Sequence, residues 1–254
     1  MNTKIKKGIK YIIKILLRPI KRFFVLLESK REFGAFKKLA NDNRMPMTWK
    51  DRYYFSTDKT GTTKFDAHYI YHPAWAARIL AKTNPGRHID ISSTLHFSTI
   101  VSAFMPVDFY DYRPAHLTLT NLTSNKIDLT SLPFKNESIL SLSCMHTVEH
   151  IGLGRYGDPI DPNGDLKAIG ELARVIAPGG NLLFVVPIGK PKIIFNAHRI
   201  YSYGQILEYF PCLKLKEFSL IPDNAREMGM VYDASKELAD VQNYGCGCFW
   251  FQKQ

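Results

Sequence analysis

From residue 84 onward the apolar positions follow two rhythms that take turns. "RHIDIS" (87–92), "VDFYDY" (107–112), "LTLTNLT" (117–123), "SILSLSCMH" (138–146) and "NLLFVVPIG" (181–189) are short runs rich in β-branched and aromatic residues, and they predict strands. Between them, "LHFSTIVSAF" (95–104) and "DLKAIGELARVIA" (165–177) repeat their apolar residues every three or four positions, as a half-buried helix does. In the second of these Leu166, Ile169, Leu172, Ala173 and Ile176 share a face, and Pro178-Gly179-Gly180 supplies a left-handed cap. "SYGQILEYF" (202–210) predicts a helix, and "LKLKEFSLI" (213–221) and "GCGCFWFQ" (245–252) predict two closing strands. Strands that alternate with helices predict a mostly parallel α/β sheet, here seven-stranded, with helices on both faces. The last two strands have no clear helix between them and predict a C-terminal antiparallel hairpin. Upstream, "HPAWAARILAK" (72–82) is helical, and Pro85-Gly86 breaks it from the first strand.

The N-terminus is different in kind. In "MNTKIKKGIKYIIKILLRPIKRFFVLL", Ile5, Ile9, Ile12, Ile13, Leu16, Ile20, Phe23, Phe24 and Leu27 form one helical stripe. Lys7, Lys10, Lys14, Arg18 and Lys21 follow the same period on another face, and Pro19 is expected to kink or split the helix. Residues 1–38 hold twelve Lys or Arg against two acids, so ten of the eleven net positive charges lie there. A charge every few positions argues against a spanning helix and against a signal peptide. The pattern fits an amphipathic helix on an anionic membrane surface, through residues 1–27. A helix packed on the protein's own core and a basic arm for nucleic acid are the alternatives, and the apolar "FFVLL" argues against nucleic acid. The chain thus divides into a basic helical arm (1–40), a helical lead-in or lid (41–84) and an α/β domain (85–254). In the second segment Asp66, His68, Tyr69 and His72 are dense for a surface stretch, which fits a lid or a packing helix.

Candidate chemistry clusters after the fourth strand. His146-Thr147-Val148-Glu149-His150 is a literal H-x-x-E-H. A zinc site of that type needs a continuous helix to bring both imidazoles to one face. Here an apolar strand runs straight into the motif and Gly152 and Gly154 follow at once, so no metal is expected. Four cysteines without a C-x-x-C pair likewise predict no structural zinc and no disulfide framework. His146, Glu149 and His150 are instead catalytic candidates at a strand end. His146 is the first choice, since an imidazole takes a proton from a hydroxyl near neutral pH. "GLGRYGDPIDPNGD" (152–165) overhangs the same edge. Arg155 there is suited to a phosphate, and Asp158 and Asp161 to sugar hydroxyls. "KPKIIFNAHRIYS" (190–202) follows the fifth strand and offers Asn196, His198 and Arg199. The bland reading of each is an ordinary capped loop.

The order "DLTSLPFKNESILSLSCMHTVEHI" and then "AIGELARVIAPGGNLLFVVP" resembles the class I S-adenosylmethionine-dependent methyltransferases, over residues 85 to about 222. More narrowly, "CMHTVEHIGLGRYGDPIDP" and "FNAHRIYS" look like a little-studied branch that accompanies bacterial surface-polysaccharide genes. The resemblance implies a Rossmann-like fold and S-adenosylmethionine as cofactor. It matches Asp90 to the acid ending the first strand, Asp111 to the acid that accepts the ribose hydroxyls, and Asp128, with Leu129, to the adenine contact. The family's glycine-rich loop is replaced by Asp90-Ile91-Ser92-Ser93-Thr94, where Ser92 is the small polar substitute. The resemblance implies methyl transfer but defines no substrate; the first reading, joined to the basic arm, is transfer to a hydroxyl of a sugar, glycan or lipid-linked acceptor, in the cytoplasm at the inner membrane face. The serine loop also motivates a second reading, a non-catalytic module that binds a glycan, a nucleotide-sugar or a partner enzyme.

Overall fold

The computed structural model describes the backbone of residues 3–40 and 44–254, and the side chains of residues 16–40 and 44–254. The chain forms two compact units, Met1–Lys64 and Phe65–Gln254.

The first unit is built on α1 (Thr3–Leu39), which runs through Pro19 without splitting. Proline removes one N–H from the ladder, and a helix of 37 residues survives one lost bond. Leu16, Ile20, Phe23, Phe24 and Leu27 of the predicted stripe are exposed. Ile5, Ile9, Ile12, Ile13, Lys7, Lys10 and Lys14 lie outside the described side chains. The segment after α1 folds back on it. Tyr54 donates to Glu32 at 3.0 Å, Lys59 pairs with Glu28 at 2.8 Å and also with Glu32, and Phe33 meets Trp49 edge-on. Among the described residues no helix is long and apolar enough to cross a membrane.

The second unit opens with α2 (Ala67–Thr83). Asp66 caps it by accepting from the backbone N–H groups of His68 and Tyr69, and Asn84 closes it with a left-handed φ of 43°. Then follow β1 (His88–Ile91), α3 (Leu95–Val101), β2 (Val107–Asp111), β3 (Leu122–Lys126), β4 (Ile139–Met145), α4 (Gly164–Val175) and β5 (Ile176–Ile188). A short hairpin of β6 (Lys192–Ile194) and β7 (His198–Ile200) precedes α5 (Tyr203–Tyr209) and β8 (Leu213–Ile221). Two short helices, α6 (Ala225–Met228) and α7 (Lys236–Asp240), lead to β9 (Gly245–Lys253). The main sheet has seven strands in the order β3-β2-β1-β4-β5-β9-β8. Neighbours from β3 to β5 are parallel, and β9 runs antiparallel to both β5 and β8. This is the Rossmann-like α/β architecture expected from the sequence. Alternate residues of β5 feed the two faces. Phe184 and Val186 join a core with Ala168, Ile169 and Leu172 of α4, while Leu183 and Val185 join Trp75 and Ile79 of α2 and Phe97 of α3.

Three local expectations change. α4 ends at Val175 because Ile176 already pairs with Ile139 of β4. Pro178-Gly179-Gly180 is therefore no helix cap. It forms an irregularity inside β5, before Asn181 pairs with Ser141. A Cβ on Gly180 would stand 2.7 Å from the Ile139 carbonyl oxygen. The buried face of α4 is Ala168, Ile169, Leu172 and Val175, whereas Leu166 is exposed. The third strand starts at Leu122 rather than Leu117; Leu119 contributes only a bridge to Leu122.

The centre of the sheet is fastened by Asp90, which is fully buried on β1. Its carboxylate accepts from Ser93 at 2.6 Å, from Ser143 of β4 at 2.5 Å, and from Ser98 of α3. Ser143 also meets His88 Nε2 at 2.9 Å, and His88 Nδ1 meets Ser141 at 2.8 Å. Burial outweighs the three hydroxyl donors and pushes the Asp90 carboxyl from an ordinary 3.8 up to about 6. Between those values the native chain holds a proton that the unfolded chain has lost. Asp90 thus favours folding most below the lower value, and that contribution is lost as pH rises through the upper one. The shift corresponds to about 3 kcal/mol. The native protein should therefore lose urea stability between about pH 4 and 7 more steeply than Asp90→Asn, which has no proton to release there. Equal slopes for the two proteins would remove this role from Asp90.

Candidate functional site

The chain runs from β1 outward to β2 and β3, then returns to β4 on the other side of β1 and proceeds to β5. Such a reversal leaves a crevice at the carboxyl ends of β1 and β4. Both strands leave the sheet through a non-glycine residue in the left-handed region, Ser92 at φ 58° and His146 at φ 57°. Each such conformation costs about 1 kcal/mol and persists only where neighbours fix it. Here they are fixed to each other, because the Thr147 hydroxyl donates to the Ser92 carbonyl at 2.7 Å. Ser92 N–H is held by Tyr110 and His146 N–H by Val185, both at 2.8 Å. A cavity of about 590 Å³ opens over this junction.

Ser92 Oγ donates to Asp111 Oδ2 at 2.6 Å, and the backbone of Arg113 donates to Oδ1 at 2.7 Å. Asp111 therefore faces the cavity at the end of β2 with its orientation fixed. Beside it, Asp128 accepts from the N–H and hydroxyl of Thr130 at 2.8 and 2.7 Å, a side-chain-closed turn that leads into buried Leu129. The opposite wall is the glycine-rich loop. Asp158 accepts from the backbone of Gly152 at 2.8 Å and of Tyr156 at 3.1 Å, and Asp161 pairs with Lys167 at 2.7 Å. Tyr156 lies between the guanidinium groups of Arg113 and Arg155, 4.6 and 5.1 Å from its ring centre.

Of the catalytic, cofactor and acceptor candidates named from the sequence, Ser92, Asp111, Asp128, Leu129, His146, Glu149, His150, Arg155, Asp158, Asp161 and His198 line the cavity. Three do not. Asp90 lies beneath it, closed off by its serines. Asn196 is exposed on the β6–β7 turn. Arg199 is buried, 3.4 Å from Asp165, and donates to the carbonyls of Ile151 at 2.6 Å and Pro162 at 3.3 Å. It holds both ends of the glycine-rich loop.

The H-x-x-E-H motif is not a helix. It spans the end of β4 and a single 3-10 turn, Val148–His150. His146 Nδ1 lies 2.8 Å from Glu149 Oε1, and both side chains are buried. His150 turns away, donating from Nδ1 to the Ala197 carbonyl at 2.6 Å, with its Nε2 3.8 Å from Glu149. Burial opposes charge on Glu149, but His146 beside it holds the carboxyl below its usual range. Burial opposes charge on His146 as well, yet the Glu149 carboxylate beside it outweighs burial and holds the imidazole above its ordinary 6.5. Glu149 is the decisive charge, because burial pushes the Cys246 thiol well up and keeps it protonated at neutral pH. His146 is then the proton-holding half of an ion pair, and such a ring donates rather than accepts.

Sequence reasoning missed what surrounds His146. Its ring stacks on His68 at 5.3 Å and Tyr69 at 5.4 Å, and His72 meets it edge-on at 5.1 Å. Tyr244 stacks on His68 at 5.1 Å. Burial lowers His68 to about 4 and His72 well below its ordinary value. The signal for α2 was present: His68 and His72 are four apart, on one helical face.

The family model that matches is the Caenorhabditis protein of unknown function, DUF268, over residues 131–213. No curated protein matches the chain. Among solved structures, the MccD protein superposes with a TM-score of 0.51 at 11% identity, covering 73% of this chain and 97% of its own. A provisionally assigned methyltransferase from Bacillus halodurans C-125 gives 0.48 at 15%, covering 71% and 98%. The N-methyltransferase NodS from Bradyrhizobium japonicum WM9, solved with S-adenosyl-L-homocysteine, gives 0.48 at 11%, covering 71% and 85%. At these identities the likeness is one of fold.

The buried ion pair gives a direct expectation. In Glu149→Gln the His146 imidazole should fall from above its ordinary 6.5 to that value or below it, read by side-chain ¹⁵N NMR across pH. A value unchanged from the native protein would move the cause away from Glu149.

Proposed function

We propose that the chain transfers a methyl group from S-adenosylmethionine to a hydroxyl of a sugar, glycan or lipid-linked acceptor, at the inner face of a membrane. The observation that carries this reading is the cavity at the β1–β4 crossover, with Asp111 facing it from the end of β2. Its size falls in the usual range of small-ligand sites, roughly 300–1,000 Å³. A carboxylate has about four lone-pair positions, and Ser92 and Arg113 occupy two at Asp111. The others are free for the ribose hydroxyls. Ser92 supplies the left-handed turn that a glycine loop would supply, so the missing glycine does not close the site. Leu129 and Asp128 would take the adenine. When bound, S-adenosylmethionine supplies an electrophilic methyl on its sulfonium.

The acceptor side falls to the other wall. His150 is the base we assign, in preference to His146. Its Nδ1–H is committed to Ala197, which leaves Nε2 as a lone pair, and Glu149 stands by to stabilise the imidazolium that forms. The pair of His146 and Glu149 fixes that geometry. Arg155, Asp158, Asp161 and His198 form the mouth that would meet the acceptor. The link to surface-polysaccharide synthesis rests on the sequence resemblance alone. The membrane reading is supported by the exposed Leu16, Ile20, Phe23 and Phe24 of α1, and by a groove of about 770 Å³ in the first unit lined by Arg18, Lys21, Arg22 and Arg52.

Calorimetric titration of the full chain should give micromolar binding of S-adenosylmethionine and S-adenosylhomocysteine, about −8 kcal/mol. Asp111→Ala should weaken it about tenfold or more. No binding of either at millimolar ligand would defeat the reading and favour a non-catalytic module. With an acceptor in hand, His150→Ala should lower turnover by about 10²–10⁴.

For the membrane, sedimentation with vesicles of mixed phosphatidylglycerol and phosphatidylcholine is the measurement. Binding should fall in the Phe23→Asp, Phe24→Asp double variant and with rising salt. Indifference to both changes would refute the arm's role.

A further inference from the structure

The methyl-transfer reading uses His146 only through Glu149 and gives no task to the side chains packed on its other edge. His146, from the end of β4, His68, from the first turn of α2, and Cys246, from β9, each place a ligand atom within 4.8 Å of the other two. These three come from separate elements of one compact unit. Cys246 is buried and unpaired as a disulfide. His146 Nδ1 is taken by Glu149, and its Nε2 is buried with no hydrogen-bond partner. A buried polar atom without a partner is destabilising and calls for an explanation. His72 repeats the pattern: Nδ1 donates to the His68 carbonyl at 2.6 Å, while Nε2 is buried and unpartnered. The near-parallel rings of His68 and His146, 13° apart, set their edges side by side.

We infer that His68, His146 and Cys246 form a binding site for a transition-metal ion of the zinc class. Two imidazoles and a thiolate are the donors such ions prefer, and the set has no oxygen ligand of the kind magnesium and calcium need. Glu149 completes it, because metal-binding histidines commonly give their other ring nitrogen to a carboxylate, which fixes ring and tautomer. A tetrahedral zinc ion holds its donors roughly 3.5 Å apart. His68, only half-buried, is the ligand with room to close on it. Binding releases to solvent the thiol proton of Cys246 and any proton on His146 Nε2, and no electron moves. Three protein ligands leave a fourth position for an exogenous oxygen or nitrogen donor. His146 lines the cavity, so the ion would stand at its edge. This is not the site that H-x-x-E-H advertises. His150 is tied to Ala197 and takes no part.

The test uses the full chain, stripped with a chelator and titrated with cobalt(II) and then with zinc. We expect one ion per chain and a thiolate-to-cobalt charge-transfer band. Cys246→Ser should abolish that band, and His68→Ala should weaken zinc binding by more than about 100-fold. Glu149→Gln, acting through His146, should weaken it about 10- to 100-fold. Cys212→Ser, which alters an exposed thiol elsewhere, should change nothing. Circular dichroism checks each fold. If Cys246→Ser fails to fold, His68→Ala still decides, since His68 is half-buried in the first turn of α2 and outside the sheet core. Absence of zinc binding at micromolar metal, or undiminished binding in both ligand variants, overturns the inference. S-adenosylmethionine titration reports separately, so this site and the methyl-transfer reading can fail independently.

Discussion

One buried carboxylate organises the second unit. Asp90 has no contact with water, and its oxygens are taken by hydroxyls from the loop after β1, from α3 and from β4. The direction of the protons follows from it. Ser143 must give its proton to Asp90, so His88 gives Nε2–H to Ser143 and receives from Ser141 at Nδ1. Burial keeps that histidine neutral, down to about 3. Every donor then has an acceptor, which is the condition under which a buried polar network rigidifies a core instead of weakening it. The left-handed turns at Ser92 and His146 stand directly on this network. Strain of that kind is tolerable only on a base that cannot relax.

Much of the fold was legible because its central strands are largely buried and read as short apolar runs, interrupted in β4 by small serines. "SILSLSCMH" and "NLLFVVPIG" leave little alternative, and the Ser202–Gln205 capping box of α5 is local chemistry. What failed was decided at long range. Nothing near Pro178 reveals that Ile176 has a strand partner at Ile139, so the helix seemed to run on to the glycines. The β6–β7 hairpin was invisible for another reason. Its strands are three residues long and those of β6 are exposed, so they show no periodicity to read.

The site divides along the same line. Asp111, Asp128 and His146 could be placed at the cavity because strand ends can be located from strand patterns. Asp90 and Arg199 look equivalent to them in sequence, and only packing separates a carboxylate facing a cavity from one sealed under it. His68 and Cys246 lie far from His146 along the chain and meet it through tertiary structure. Cys246 has only Cys248 near it among the cysteines in sequence, whereas its partners lie on other elements.

The position of β9 has a consequence in time. β8 is synthesised before β9, yet among the described residues its only neighbour in the main sheet is β9, which bridges it to β5. Until β9 leaves the ribosome, β8 has no place in the sheet and one edge of β5 stays open. An open apolar edge is where a nascent chain meets other chains. The same interval leaves Cys246 away from the histidines, so β9 closes the sheet and completes the His146 cluster in one docking event.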